Sequence, residues 1–231
     1  HLEVLARERG FFRRAAAAKA DGLTCGIAVP VFVGERLSAV MIIFCGDDAD
    51  HAGAIELWAN QPAQSQDMHL VDGYYGTTGD TFEFISRSTS FRKGSGLPGV
   101  TWDRQAPVFL EDLGKGSGFL RSNSAVKVGI YRGFAMPCPA RDGANYVMAF
   151  LSALGTPIAH CVEIWEPETG LPHLKRRYGF AEPGTTLPGA DKAPLEGAGV
   201  GPIGQAFLTG VPATAEPMIA LPIATGGATR G

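Results

Sequence analysis

Residues 119–137 read FLRSNSAVKVGIYRGFAMP, and residues 12–30 read FRRAAAAKADGLTCGIAVP. The two stretches carry the same residue at seven positions, each pair 107 residues apart: one phenylalanine, one arginine, two alanines, two glycines and one proline. A period of this length is too long for a solenoid unit and matches one small domain. The sequence therefore predicts tandem copies of a single domain type.

The repeat extends beyond this stretch in both directions. Residues 54–58, AIELW, correspond to residues 161–165, CVEIW, again at an offset of 107. Residues 94–99, GSGLPG, correspond to residues 199–204, GVGPIG, at an offset of 105. These matches keep the same order along the chain, which indicates one repeated domain rather than isolated similar motifs.

The third copy is predicted to be shortened. Residues 220–222 match residues 135–137 at an offset of only 85, so the counterpart of roughly residues 115–131 is missing from it. The predicted domains are the C-terminal half of one domain at residues 1–47, a complete domain at 48–155 and a shortened, truncated domain at 156–231. The two partial copies would complete one composite sheet, within one chain or between two, unless neighbouring residues supply the missing halves.

Local patterns predict the elements of each copy. Apolar residues of one helical stripe predict a helix over residues 2–20. Residues 76–95 are predicted to be mainly a loop rich in glycine and threonine. Further helices are predicted at 96–104 and 119–128, and strands at 27–32, 37–44, 54–58, 68–75, 108–110, 134–138, 146–151, 162–166 and 173–180. This order predicts an α+β fold in which an antiparallel sheet is backed by helices.

Composition limits the classes of function and the compartment. A net charge of -3 gives no electrostatic case for nucleic acid as a partner. The longest apolar run, Leu37 to Cys45, is too short to span a membrane. The four cysteines lie far apart and lack zinc-site spacing, so free thiols in a reducing compartment are expected. We expect a cytoplasmic protein, and the sequence leaves organellar import open.

The repeated unit resembles the GAF domain. The resemblance is carried, in order along the chain, by the strand at 54–58, the turn GLPGV at 96–100, the segment QAPVFLED at 105–112, the helix at 119–129 and the hairpin that opens at 133–137. GAF domains are mostly sensory: they bind small molecules in a pocket between the sheet and its covering loops, or they dimerise without a ligand. The resemblance implies tandem GAF-like domains with a non-catalytic signalling role, and a small molecule, a protein partner or a second copy as partners.

Known ligand signatures of that family are missing from the matching positions. Bilin-binding members attach the chromophore through a cysteine, commonly followed by histidine, in the region that corresponds to residues 119–129, which here contains neither. Free methionine sulfoxide reductases need several cysteines, and only Cys138 lies near the implied pocket. The cyclic-nucleotide signature is also not found. We therefore predict no cofactor, no metal ion and no catalytic residue.

Five residues are the predicted lining of a ligand pocket in the complete copy: Arg121, Tyr131, Phe134, Met136 and Cys138. An apolar pocket with a few polar groups is typical of a small-molecule site, but the same set describes an ordinary core. Arg121 would clamp a carboxylate or phosphate, or it would pair with a nearby acidic group or cap a loop.

Two further patterns allow a structural and a functional interpretation. The G-x-G-x-x-G spacing at 94–99 and 199–204 fits a dinucleotide fingerprint, but no parallel βαβ unit accompanies it, which favours a tight turn before a helix. Glu56 and Trp58 share one strand face, as do Glu163 and Trp165, because side chains alternate along a strand. Each pair would form a pocket floor or, as ordinary sheet packing, stabilise the sheet.

A second function class remains open from the sequence. The chain would be a structural or assembly subunit of a larger complex, without a ligand. The shortening of the third copy favours this class, because it removes a helix and loop that would wall a pocket. The same deletion would leave an apolar face that needs a partner.

Overall fold

The structure of the chain is a computed structural model, which describes residues 2–4, 13–33, 36–46, 52–114, 116, 118–138, 143–187, 195–216, 218–225 and 228–229. The chain divides into two compact units. The first unit contains His1–Val29 and Ile42–Ile158, and the second contains Pro30–Met41 and Ala159–Gly231.

The described residues form sixteen strands and five helices. The helices are α1 (Ala15–Ala20), α2 (Asp80–Ser88), α3 (Gly96–Arg104), α4 (Ser122–Lys127) and α5 (Gly201–Thr209). The strands are β1 (Leu2–Val4), β2 (Leu23–Val33), β3 (Arg36–Gly46), β4 (Gly53–Asn60), β5 (Met68–Tyr74), β6 (Ser90–Phe91), β7 (Val108–Leu110), β8 (Arg132–Cys138), β9 (Asn145–Ser152), β10 (Cys161–Pro167), β11 (His173–Ala181), β12 (Leu195–Gly197), β13 (Ala213–Ala215), β14 (Met218–Ala220), β15 (Ala224–Thr225) and β16 (Ala228–Thr229).

An antiparallel sheet of six strands organises the first unit, in the order β6-β5-β4-β9-β8-β7. β4 lies in the middle of this sheet, and its Ile55 is paired with Tyr74 of β5 and with Phe150 of β9. Six of the eight residues of β4 are buried, because neighbouring strands flank it and both of its faces are covered. This arrangement confirms the predicted α+β fold with an antiparallel sheet and few helices.

The main core lies on the helix side of this sheet. Trp58 and Phe91 pack edge to face, with 4.7 Å between ring centroids and 77° between ring planes. The cluster joins side chains from the sheet to others from α2, α3 and α4; its fully buried apolar members include Trp58, Met68, Phe82, Phe91, Leu113, Ala125, Ile130, Ala135 and Ala149. Burial of one large apolar side chain of this kind contributes about 1.5 to 3 kcal/mol.

The opposite face of the sheet is a second apolar layer. Phe134 of β8 stacks on Phe150 of β9, with 6.1 Å between ring centroids and 29° between planes. Met136 is paired with Met148. This pair lies on the same face as Phe134 and Phe150, because each methionine is two residues away from the phenylalanine of its own strand. β8 and β9 therefore contribute alternate residues to both layers.

The helices α1 and α4, whose first residues lie 107 positions apart, have the same length and the same local hydrogen bonds. Each contains six residues and starts after an arginine. The amide of Ala18 donates to the carbonyl of Arg14 over 3.0 Å, and the amide of Ala125 donates to the carbonyl of Arg121 over 2.9 Å. The shared sequence thus forms the same short helix twice.

Corresponding strands pair in the same way in all three copies of the repeat, at the offsets found in the sequence. Phe109 is opposite Phe134 in the first unit, and Leu2 is opposite Ile27, which lies at the corresponding position 107 residues earlier. Ala213 of β13 is opposite Ala220 of β14, which corresponds to Val108 opposite Ala135 at offsets of 105 and 85. β13 leads almost directly into β14 because the segment equivalent to α4 is missing between them.

The two G-x-G-x-x-G motifs form the same tight turn before α3 and α5. The amide of Gly94 donates to the carbonyl of Gly99 over 2.8 Å, and that of Gly199 donates to the carbonyl of Gly204 over 2.9 Å. Gly94 and Gly199 have φ of 79° and 83°, values that favour glycine. The structure therefore confirms the turn, and the residues that it describes contain no βαβ unit for a dinucleotide.

In the second unit, β10, β11 and β12 form a three-stranded antiparallel sheet, and α5 lies against β12 and the β13–β14 hairpin. The pairing of β10 with β11 shifts register between Ile164 and Trp165, because β11 contains one extra residue, Arg177. The pairing of β4 with β5 shifts register between Leu57 and Trp58, 107 residues earlier, because β5 contains one extra residue, Val71.

Two predictions about the fold are wrong. The predicted helix over residues 2–20 is a strand at Leu2–Val4 and a helix only at Ala15–Ala20, and residues 5–12 lie outside the described residues. Residues 2–4 form a strand because they pair with β2, and the spacing of apolar residues does not reveal this partner. The predicted loop contains α2, whose Phe82 and Ser86 are buried. Within one chain, the described strands of residues 2–46 and those of residues 161–197 pair in separate sheets, and a composite sheet between two chains stays a prediction.

Candidate functional site

The interior of the first unit holds a buried carboxylate. Glu56 lies on β4, is fully buried and points toward the helices. Its Oε2 accepts a hydrogen bond from Trp58 Nε1 over 3.0 Å, and its Oε1 accepts one from the Tyr75 hydroxyl over 3.0 Å. The Glu56–Trp58 pair predicted on one strand face is therefore joined directly.

Arg121, the residue that precedes α4, completes this cluster. Its Nη1 lies 2.5 Å from Glu56 Oε1, and its Nη2 lies 2.8 Å from Glu56 Oε2, which is a two-point ion pair. Nη1 also donates to the hydroxyl of Ser86 on α2. The rings of four aromatic residues surround the guanidinium carbon at 5.0 to 5.7 Å: Trp58, Phe82, Phe91 and Phe119.

The ion pair keeps Glu56 charged despite its burial. Burial by itself raises the pKa of Glu56, but attraction to Arg121 and hydrogen bonds from Arg121 and Trp58 outweigh it, so the pKa lies below its ordinary value of 4.5. The pKa of Tyr75 is raised by burial and by the adjacent Glu56 charge. Both carboxylate oxygens of Glu56 thus accept hydrogen bonds from side chains of the same protein.

The second unit contains a related but more open cluster. Glu163 Oε2 accepts from Trp165 Nε1 over 3.0 Å, the same bond as in the first unit. Arg176 of β11 provides the cation, with its Nη1 2.5 Å from Glu163 Oε1. The arginine therefore comes from the neighbouring strand in the unit that lacks the segment equivalent to Arg121 and α4.

A groove outside this interior lies beside α4. It has a volume of about 450 Å³. We call it the α4 groove; its lining residues are Asp112, Gly114, Ser122, Asn123, Val126, Lys127 and Tyr131. The loop before α4, α4 itself and the residue before β8 provide these side chains. The groove therefore combines one acidic, one basic and three neutral polar side chains with a valine.

The five predicted lining residues lie in three different places. Arg121 is in the buried ion pair, and Tyr131 is in the α4 groove. Phe134 and Met136 lie on the other face of the sheet, where Cys138 follows them on the same strand. Burial raises the pKa of the Cys138 thiol to about 11, which keeps it protonated at neutral pH. Whether any of the five binds a ligand stays a prediction.

The structure confirms the predicted alternative that Arg121 pairs with an acidic group, but the sequence did not identify Glu56 as that group. Both residues were singled out, but each was considered within its own motif, and 65 residues separate them. The sequence did contain a signal of this pairing. The third copy lacks a counterpart of Arg121, and the strand that follows Glu163 contains an arginine, Arg176, in its place.

Two features are absent from the residues that the structure describes. No three histidine, cysteine, aspartate or glutamate side chains of that part of the chain come together as a metal site. Among the same residues, no helix combines the length and hydrophobicity needed to cross a membrane.

Comparisons with known proteins find similarity to solved structures at low identity only. No protein-family model and no curated protein matches the chain. One similar structure is NreA from Staphylococcus aureus, mutated in its nitrate binding site, with 16% identity over 48% of this chain and 80% of that chain, and a TM-score of 0.36. Another is the GAF domain of A. aeolicus NlH2, with 14% identity over 42% of this chain and 56% of that chain, and a TM-score of 0.33.

A third similar structure is free methionine-R-sulfoxide reductase from Neisseria meningitidis. It has 12% identity over 43% of this chain and 51% of that chain, with a TM-score of 0.32. The chain is thus similar to GAF domains and GAF-like folds at low identity and over part of its length. At these identities and TM-scores, nothing about the function of this chain follows from them.

Proposed function

We propose that this chain is a tandem set of GAF-like units that works as a non-catalytic sensory and regulatory module, and that it binds a small molecule in the α4 groove. A contrast within the first unit carries the proposal. The interior is filled by Glu56, Arg121 and aromatic rings, whereas the α4 groove is open to the surface and combines apolar surface with polar and charged groups. Its volume falls in the range of small-molecule sites.

The tandem arrangement is supported by local geometry at fixed offsets. Short helices, glycine turns, strand bulges and Glu–Trp hydrogen bonds recur 105 or 107 residues apart. The non-catalytic role is supported by the chemistry of the titratable groups. Glu56 is held charged by its ion pair, and the Cys138 thiol is a poor nucleophile because its pKa is raised. We place the protein in the cytoplasm, where the free thiols Cys138 and Cys161 stay reduced.

A thermal-shift screen of the whole chain tests ligand binding at the α4 groove. We expect at least one compound from a panel of organic acids, sugars, nucleotides and amino acids to raise the melting temperature. A ligand at 100 times its Kd stabilises a protein by about 2.7 kcal/mol. Lys127→Ala should abolish the shift, because it removes the basic side chain found among the described lining residues.

The matched control is Lys19→Ala on α1. Lys19 lies in the last turn of a helix of the same length, as Lys127 does on α4. This variant should retain the ligand-induced shift. A panel in which no compound stabilises the protein, or in which the shift survives in Lys127→Ala, contradicts the proposed site.

A second candidate function, assembly without a ligand, is favoured by one surface of the second unit. Val200 and Leu208 flank the start and end of α5 and are 62% and 66% exposed. Their counterparts 105 residues earlier, Ser95 and Asp103, are polar. Exposed apolar residues at positions that are polar in the other copy are typical of an interaction surface.

Light scattering coupled to size-exclusion chromatography tests this second function. We expect the wild-type chain to self-associate and the double variant Val200→Ser with Leu208→Asp, which installs the residues of the other copy, to be monomeric. The double variant Leu154→Ser with Leu171→Ser is the control, since both residues are exposed elsewhere. A wild-type chain that is monomeric at its highest soluble concentration argues against assembly through this surface.

A further inference from the structure

The α4 groove carries one acidic and one basic side chain, Asp112 and Lys127. Oδ1 of Asp112 accepts a hydrogen bond from the amide of Gly114 over 2.8 Å, which leaves its other oxygen for a ligand. Lys127 projects from the last turn of α4. Neither side chain forms an ion pair in the part of the chain that the structure describes.

Three neutral polar side chains accompany these charges. Ser122 offers a hydroxyl, Asn123 an amide and Tyr131 a phenol, so the groove provides both donors and acceptors. Over the described ranges, these three side chains have no hydrogen-bond partner. Val126 adds one apolar contact between them. Among the described residues, five polar side chains thus line one groove, and each has at least one polar atom available to a ligand.

The equivalent helix of the first copy shows that these polar groups are not needed to form the helix. The residues 107 positions before Ser122, Asn123, Lys127 and Tyr131 are Ala15, Ala16, Ala20 and Thr24. α1 still forms a helix of six residues, the same length as α4. Alanine favours a helix more than serine or asparagine does. Ser122 and Asn123 therefore have a cost for the helix, which a binding role explains.

We infer that the α4 groove binds a small zwitterion, an amino acid or short peptide with a free ammonium and a free carboxylate; this inference rests on the proposed function. Lys127, Ser122 and Tyr131 would hold the carboxylate, and Asp112 would hold the ammonium. A ligand with a single charge of either sign would meet one like charge in the groove. A zwitterion instead pairs with both charges, which gives charge complementarity and specificity.

Calorimetric titration of the full chain tests the ligand class. The probes are the twenty standard amino acids and the dipeptides Ala-Ala, Ala-Glu and Ala-Lys, which distinguish a free amino acid from a short peptide. We expect at least one probe to bind. Its N-acetyl form and its C-terminal amide should each bind at least tenfold more weakly, because each loses one of the two charges.

Two variants connect the ligand charges to the side chains. Lys127→Ala should weaken binding of the free probe at least tenfold, and its effect on the amide should be small. Asp112→Asn, which keeps an oxygen for the amide of Gly114, should weaken the free probe and leave the N-acetyl form unchanged. Equal binding of the free and blocked probes would overturn the zwitterion and leave the proposed small-molecule function intact.

The outcome without binding is also decisive. If no amino acid or dipeptide binds but the broader panel contains a ligand that depends on Lys127, the zwitterion is wrong and the proposed function stands. If neither set contains such a ligand, both fail. If a zwitterion binds with full affinity to both variants, its site lies elsewhere and the inference is overturned.

Discussion

Replacing Glu56 by glutamine is expected to destabilise the first unit by about 3 to 5 kcal/mol, the largest effect that we predict for a single side chain. The substitution leaves the guanidinium of Arg121 buried with no countercharge, since its Nη1 and Nη2 both contact this carboxylate. An unpaired buried charge costs more than the ion pair itself contributes. Urea denaturation followed by circular dichroism measures the change in the free energy of unfolding.

A matched control separates burial from charge. Glu83 and Arg87 form an exposed ion pair on α2, with 36% and 51% of their side chains accessible. Glu83→Gln should therefore change the free energy of unfolding by less than about 0.5 kcal/mol. The double variant Glu56→Gln with Arg121→Met should cost less than the sum of its single variants, because it leaves no buried charge. Additive losses would show that the two residues do not act as a pair.

The pH dependence of stability follows from the lowered pKa of Glu56. A carboxyl group whose pKa is lower in the folded state contributes stability above its unfolded pKa, and this contribution is lost as the pH falls through the folded value. Wild-type stability should therefore decline below pH 4.5, and Glu56→Gln should lack this part of the decline. A parallel decline in both proteins would exclude Glu56 as its source.

Gly99→Ala is expected to destabilise the first unit by about 3 kcal/mol, as severe overpacking does. A Cβ at this position would clash with the carbonyl oxygen of Arg92, which belongs to the backbone and has little room to move. The same turn holds the start of α3 through the hydrogen bond between Gly94 and Gly99. Chemical denaturation of the variant should show a lower midpoint with an unchanged slope.

Two other glycine variants calibrate this result. Gly204→Ala repeats the clash in the second unit, against the carbonyl oxygen of Gly197, and should have a comparable cost there. Gly155→Ala is the control, because a Cβ at Gly155 meets no atom within 4 Å. A Gly99→Ala protein as stable as Gly155→Ala would show that the turn can open without cost, and would contradict its fixed geometry.

The buried cluster and the α4 groove divide structural and functional roles within one short segment. Arg121 precedes α4 and is buried, whereas Lys127, at the end of the same helix, is exposed. The ion pair with Glu56 therefore anchors the helix whose outer surface lines the groove. Variants of the cluster should affect stability, and variants of the groove should affect ligand binding.

Several features of the fold were predictable because they depend on local sequence. The glycine spacing of residues 94–99 predicts a turn before a helix, since positive φ and a close backbone contact both favour glycine. The repeat of the earlier hairpin predicts strands at 134–138 and 146–151, and both were found as β8 and β9. The prediction failed at Leu2–Val4, where leucine and valine fit a helical stripe as well as a strand, and the partner strand decides between them.

The sequence alone determined the repeat with its offset, the short helices and glycine turns, and the residues that recur in each copy. Only the tertiary structure decided which of these residues meet. Glu56 and Arg121 are adjacent because a sheet face and a helix start pack together, and no local spacing encodes a contact across 65 residues. The structure also placed Arg121 in the core and Tyr131 in the groove, because the direction of each side chain depends on what the folded chain packs against it.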